Sequence, residues 1–367
     1  MSKYKSLKKT TRTNIWAYGI VLVAFAILLP LQSTGAINNS ISGQLVPICT
    51  YIVMALSLNL TVGILGELSL GHAGFMSVGA FSGVVAAVSL QSSVPNDILR
   101  LIIAIAVGGV FAAIAGLIIG IPVLRLKGDY LAIVTLAFGE IIKNVMNCLY
   151  VGLDENGLHF SMKDSASMNM VNGKIILNGP QGAVGITKIA TFTAGVVLIL
   201  IALFVILNFI NSNTGRAVRA IRDNRIAAES VGIGVTRYKL TAFITSAALA
   251  GMAGALYAQN FSTVAAKKFD FNTSILILVF VVLGGMGNMI GSIIATTVLY
   301  ILPELLRQFS DYRMLIYAIV LILVMIATNS DKSKHFFASI QHKIKSRKQK
   351  SDGLEVDSNG KDGSDSV

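Results

Sequence analysis

Thirty-three consecutive residues, Phe271 to Pro303, carry no formal charge. A helix needs roughly 20 apolar residues, at about 1.5 Å rise each, to cross a ~30 Å hydrocarbon core. The run is too long for one ordinary span. Gly284-Gly285-Met286-Gly287-Asn288, at its middle, offers a turn that divides it in two. The same ruler finds ten candidate spans, near residues 15–31, 45–65, 71–91, 98–122, 129–150, 189–210, 240–260, 271–287, 289–306 and 313–329. The chain therefore reads as an all-α, polytopic integral membrane protein with about ten transmembrane helices.

Composition agrees. Of 367 residues, 54% are hydrophobic and only 13% are charged, about half the ~25% of globular proteins. The net charge of +12 does not point to nucleic acid, because the basic residues gather in the loops between apolar runs. Cys49 and Cys148 lie in or beside apolar segments, which favours packed thiols over a disulfide or a metal site. Lys3 to Arg12 followed by Ile15 to Leu31 lacks a clear small-residue cleavage site, so it reads as a retained first span.

Ten spans with the amino terminus inside place 21 of the 30 lysines and arginines on the inner side, as the positive-inside rule expects. Both termini are then cytoplasmic; an eight-span arrangement with the same ends is the main rival. The expected organisation is a basic cytoplasmic start (1–14) and a membrane domain (15–329). A polar tail (330–367) with the composition of a disordered segment follows. The membrane domain has one large outer loop (151–187), rich in Gly, Asn and Ser, and one large inner loop (211–239).

The inner loop is the strongest functional clue. Thr214 is a plausible N-cap, and the run to Ser230 is rich in helix formers. Ala217, Ala220, Ile221, Ala227, Ala228 and Val231 give a small apolar face; Arg216, Arg219, Arg222 and Arg225 recur every three residues, with Asp223 and Glu229 as partial counterions. Gly232-Ile233-Gly234 stops the helix. The plainer reading is a basic loop on anionic lipid, worth about 1 kcal/mol per basic residue. The sharper one is docking into a protein groove, because small residues permit close approach.

A second constellation runs from Gly63 to Phe81, where Gly63, Gly66, Gly71, Gly74 and Gly79 interrupt apolar sequence that contains Glu67, Ser69 and His72. A charge at mid-membrane costs about 2.5–3.5 kcal/mol, so Glu67 and His72 either face a path or mark an inner boundary. Glu140 sits inside a span and has Lys143 at i+3; Glu304 and Arg307 share that spacing. Asp129 is placed to cap the span that follows it. Gly63-Ile64-Leu65-Gly66 and Gly284-Gly285-Met286-Gly287 are loosely alike, too little to establish a repeat. Leu68-Ser69-Leu70-Gly71-His72 superficially matches an ATP-binding signature, but the chain has no Gly-x-x-x-x-Gly-Lys-Ser/Thr phosphate loop.

Several motifs in order resemble the LivM-like permeases of branched-chain amino-acid ABC importers. They are Leu58-Asn-Leu-Thr-Val-Gly63, Leu68-Ser-Leu-Gly-His-Ala-Gly-Phe75, Leu126-Lys-Gly-Asp-Tyr-Leu-Ala-Ile-Val-Thr-Leu136, Phe138-Gly-Glu140, Gly215 to Tyr257, Val282-Leu-Gly-Gly-Met-Gly287 and Leu302-Pro-Glu304. The resemblance covers residues 50 to 325. It implies a non-catalytic subunit of a bacterial cytoplasmic-membrane importer that binds no cofactor and no metal, with ATP used by partner subunits. The implied partners are a second related permease subunit, two cytoplasmic ATPases, an extracytoplasmic solute-binding protein and membrane lipid. It further implies that Gly215, Arg216, Arg219, Arg222, Ala227, Ala228, Glu229 and Gly232 belong to the loop that meets the ATPases. Glu67, Ser69, His72 and Glu140 remain candidates for the translocation path or its gate. Two stretches depart from the pattern: Asn178-Gly-Pro-Gln-Gly182, and Ala327-Thr-Asn-Ser-Asp331 after the last span. They leave the solute open. The alternatives are a self-sufficient proton-coupled carrier using Glu67, His72 or Glu140, and, more weakly, a membrane enzyme, for which no nucleophile, acid pair or metal cluster stands at motif spacing.

Overall fold

Each of the ten apolar segments forms a helix. The computed structural model describes residues 2–33, 39–124, 130–155, 157–168, 170, 173–306 and 312–329. Asp129, Arg307 and the tail from residue 330 lie outside the described residues, and with them the expected cap, the Glu304 spacing and the disordered tail. The helices are α1 (Ser2–Ser33), α2 (Asn39–Asn59), α3 (His72–Ser89), α4 (Asp97–Val123), α5 (Tyr130–Asn147), α6 (Phe192–Asn211), α7 (Asn213–Asp223), α8 (Arg225–Ser230), α9 (Val235–Ala258), α10 (Phe271–Gly284), α11 (Met289–Leu305) and α12 (Arg313–Asn329). The first helix starts at Ser2, inside the basic amino-terminal stretch, rather than at residue 15.

Five helical segments are long and apolar enough to cross a membrane: Ile41–Leu65, His72–Ser89, Asp97–Val123, Phe192–Asn211 and Val235–Ala258. The uncharged run near the carboxyl end divides where the glycine cluster stands, between α10 and α11. With 14 residues α10 reaches only about 21 Å, short of a full bilayer crossing. Side-chain caps fix several helix starts: Asn96 accepts from Ile98 N and Leu99 N, Thr191 from Ala194 N, and Asp270 from Thr273 N. Each such cap contributes roughly 1 kcal/mol.

The outer loop contains more order than its composition suggests. It folds into a three-stranded antiparallel sheet in the order β2-β1-β3, from Tyr150–Asp154 (β1), Gly157–Ser161 (β2) and Lys174–Asn178 (β3). The chain is thus mostly helical rather than all-α. Leu158 and Phe160 alternate with polar neighbours at period two, the signature of a strand with one apolar face.

Helix α2 runs through the middle of the bundle, and every residue of Leu45–Leu65 is buried. Its last turn, Leu60–Leu65, is π-helical and ends at Gly66, whose φ is +79°. Helices α3, α4 and α9 pack tightly by backbone approach. A Cβ at Gly79 would lie 2.1 Å from the Gly251 carbonyl oxygen, and one at Gly254 would lie 2.0 Å from that of Met76. Small residues at such crossings let helices associate where apolar lipid removes the hydrophobic drive. Along α4, Ile98, Ile102, Phe111, Ile114 and Ile118 remain exposed, an apolar face suited to lipid or another span. The chain divides into two units between Glu304 and Leu305, and in the second the described helix is α12. Both cysteines are free; Cys49 is buried as expected, whereas Cys148 is exposed.

Candidate functional site

The inner loop forms a two-part helical arm rather than one helix. Ser212, not Thr214, is the N-cap of α7 and accepts from Gly215 N at 3.1 Å. The helix breaks at Asn224, whose extended backbone and side chain start α8 by accepting from Ala227 N at 3.0 Å. Asn is a strong capping residue, and its side chain competes with helix continuation. The arm ends in a reversed turn. Gly232 N donates to Glu229 O, Ile233 N donates to Ala228 O, and Gly232 has a φ of +83°.

The arm has an inner and an outer face. Ile221, Ala228 and Val235 form a small core with Ile233 and Tyr238 packed against it. Gly215 is also buried, because a Cβ there would lie 2.2 Å from Phe209 O. Among the residues singled out in sequence, Gly215 and Ala228 therefore support the arm from within. Arg216, Ala227, Glu229 and Gly232 face solvent. The same face carries Ile226 at 79% exposure and Val231 at 74%. Ile226 escaped the sequence reading; a β-branched apolar residue inside a run of arginines was the available signal. Glu229 Oε1 accepts from Arg225 Nε at 3.1 Å, and Arg216 is hydrogen-bonded to Asn213.

Two arginines tie the arm to the bundle. Arg219 Nη2 donates to Ile210 O at 2.7 Å within the preceding helix end. Arg222 Nη1 donates to Gly63 O at 2.8 Å, in the π-helical turn of α2, while its other nitrogens pair with Asp223. The aliphatic stem of Arg222 fills the space beside Gly66, where a Cβ would lie 2.5 Å from Arg222 Cγ. Glu67 adds an ion pair with Lys239 at the start of α9, with both side chains largely buried. Breaking such a pair by removing one partner typically costs about 3–5 kcal/mol.

The end of α2 and its π-helical turn together form a junction with α3, α7, α9 and α11. Asn59 Nδ2 donates to Asn288 O (3.2 Å) and Ser292 Oγ (2.8 Å), and Asn59 Oδ1 accepts from Gly287 N at 2.7 Å. A Cβ at Gly63 would lie 2.2 Å from Gly287 N, so the two loosely similar glycine clusters are in contact. Thr61 Oγ1 donates to Ser246 Oγ of α9 at 2.8 Å, and Ser246 Oγ donates to Ser57 O at 2.6 Å. Ser57 Oγ and His72 Nε2 of α3 are 2.7 Å apart. Arg222 thus links α7 to α2, which is hydrogen-bonded in turn to α3, α9 and the α10–α11 turn. π-Helical turns often mark functional positions within helices.

The other path candidates separate. His72 is buried with Ser57 as its hydrogen-bond partner, and Glu140 pairs with Lys143 as the i+3 spacing predicts. Ser69 is buried, with no hydrogen-bond partner for its hydroxyl among the described residues. Glu67, His72 and Glu140 therefore each have their own partner and do not join in one hydrogen-bonded relay among the described residues.

Fold and site together define a multi-pass helical membrane protein with a solvent-facing arm wired into its central helix. The family described as branched-chain amino acid transport system / permease component matches residues 40–326, and the chain belongs to it. The high-affinity branched-chain amino acid transport system permease protein LivM of Salmonella typhimurium is 36% identical over 290 residues, covering 75% of this chain and 66% of the relative. LivM of Escherichia coli K12 matches to the same extent. The fructose import permease protein FruG of Bifidobacterium longum is 26% identical over 243 residues, covering 64% of this chain and 67% of the relative. The chain thus spans just under two thirds of the length of the LivM relatives. No solved structure matches it.

Proposed function

We propose that this chain is the membrane-spanning permease subunit of an ATP-binding-cassette importer, forming a translocation path for branched-chain or similar amino acids. It works beside a second permease subunit, two cytoplasmic ATPases and an extracytoplasmic solute-binding protein. It sits in a bacterial cytoplasmic membrane with about ten helices at membrane depth, of which the short α10 does not cross the full bilayer by itself, and with both termini inside. It binds no nucleotide itself; ATP is used by the ATPases. Closure of the ATPases moves the arm, and the bundle exchanges inward and outward access around the central helix.

The observation that carries this reading is the two-faced arm. One side is anchored by Arg219 and Arg222 to backbone carbonyls of the bundle. The other offers Ile226 and Val231 to solvent, each able to contribute about 1.5–3 kcal/mol on burial in a partner groove. A loop made only for lipid headgroups has no need of the Arg222 anchor, and a self-sufficient carrier has no need of the arm. The proton-coupled alternative would use Glu67, His72 or Glu140, and each of these is held by its own partner, Lys239, Ser57 and Lys143 respectively.

Two substitutions on the exposed tip test the reading. Gly232→Asp forces a side chain into a left-handed conformation and adds a carboxylate at the docking face; Glu229→Lys reverses the charge and removes the Arg225 partner. Either should lower co-purification of tagged ATPase subunits at least about tenfold, equivalent to ~1.4 kcal/mol, with membrane insertion unchanged. Unchanged recovery of the ATPases with both variants would remove the arm as their docking element.

A further inference from the structure

At the end of the bundle opposite the arm lies a second feature, a cavity of about 500 Å³. Val235, at the start of α9, packs against the arm. Tyr257, near the other end of that helix, is about 33 Å away at 1.5 Å per residue and lines the cavity with Gln44, Phe261, Lys267, Lys268 and Tyr300. The size falls within the ~300–1,000 Å³ common for small-molecule sites. We propose that this cavity is a solute-recognition vestibule for a small carboxylate-bearing molecule with an apolar side chain. The inference rests on the permease reading given above and assigns the chemistry of the site.

The walls divide by character. One is aromatic: Tyr257 and Phe261 have ring centroids 4.9 Å apart, Tyr51 lies behind at 4.8 Å from Tyr300, and Tyr51 meets Tyr257 edge-on at 6.2 Å. These tilted and edge-on rings form a packed apolar surface that suits an aliphatic side chain. The other wall is polar. Tyr300 OH donates to Gln44 Oε1 at 3.3 Å, which leaves the Gln44 amide NH₂ as a donor. Lys267 and Lys268 stand on a short 3₁₀ turn, and neither has an ion-pair partner among the described residues. That turn is fixed. Lys268 N donates to Ala265 O, Thr273 Oγ1 donates to Lys268 O at 2.9 Å, and Val264 is bridged to Ala183 in both directions at 2.9 and 3.0 Å. Two exposed lysines and an amide donor that line the same cavity as the aromatic side chains match a carboxylate joined to a short apolar chain.

Thiol protection measures occupancy directly. Thr263 lines the same cavity, so Thr263→Cys in a Cys148→Ser background places a reactive thiol there, while Cys49 stays buried. In the assembled importer, millimolar leucine should slow labelling of this thiol by a neutral maleimide, and 3-methylbutylamine, which lacks the carboxylate, should not. Lys267→Gln with Lys268→Gln should weaken protection by about tenfold, the usual weight of a charge-assisted hydrogen bond. Equal labelling with and without leucine, in an importer that does accumulate leucine, would overturn the vestibule and leave the permease reading standing. Failure of the unsubstituted importer to accumulate leucine would instead strike the permease reading. Intact leucine protection combined with lost crosslinking to the solute-binding protein in the double variant would also overturn the proposal, by assigning the lysines to protein docking.

Discussion

Gly63→Ala should destroy the protein's function outright, by the smallest change available. The added methyl would lie 2.1 Å from Asn59 Oδ1 and 2.2 Å from Gly287 N, inside any real contact distance. Gly287 N is backbone, so no side-chain rotation relieves the clash. Relief requires the α10–α11 turn to move away, which breaks the Asn59 bonds to Gly287 N and Asn288 O. Overpacking costs about 1–3 kcal/mol and the severed hydrogen bonds about 1 kcal/mol more. The expected loss of roughly 2–4 kcal/mol falls on the junction that connects the arm to four helices. Uptake should be abolished, and the purified protein should unfold at a lower temperature than its parent. Gly43→Ala is the control, because a methyl there meets open space. Equal thermal stability and equal uptake for both variants would show that the tight contact between the two glycine clusters is unimportant.

The second large effect concerns transmission rather than folding. Arg222→Ala removes the hydrogen bond from the arm to Gly63 O and the stem that fills the space beside Gly66. A hydrogen bond from a charged donor is worth about 1.5–3 kcal/mol, so coupling should weaken by tenfold or more. The exposed docking face does not include this bond, so the ATPases should remain associated. The expected phenotype is therefore an assembled importer whose ATP hydrolysis no longer rises with solute and whose uptake falls at least about tenfold. That pattern is distinct from Gly232→Asp, where association itself is lost. Uptake and solute-stimulated hydrolysis in Arg222→Ala at parental levels would show that motion reaches the bundle by another route.

Much of this was legible in sequence, and the reasons for the rest are physical. Runs of apolar residues near bilayer length located ten of the twelve α-helices among the described residues, all but α7 and α8 of the arm, and the glycine cluster at 284–288 located the break between α10 and α11. The outer sheet was hidden because its strands are five residues each and sit in Gly- and Asn-rich sequence, where composition outweighed the short alternation of Leu158 and Phe160. The break in the arm was written in Asn224, a capping residue placed among helix formers that invited a single continuous helix. Lys143 with Glu140 was readable because helical neighbours lie three residues apart. Arg222 with Gly63 and Lys239 with Glu67 are separated by 159 and 172 positions, and no local periodicity encodes such pairs. The arginine repeat lies in an element that folds into a two-part helical arm, while its division into a side bonded to the bundle and a side open to solvent emerged only from the packing.

The central claim is that this chain moves solute only when pushed through its arm by subunits that hydrolyse ATP. Leucine flux in proteoliposomes tests it most directly, with the purified chain alone under an imposed proton or sodium gradient compared with the chain joined to its permease, ATPase and solute-binding partners plus ATP. Accumulation should occur only in the complete assembly, and the chain alone should be inert. Concentrative uptake by the single purified chain, driven by the ion gradient, would contradict the account.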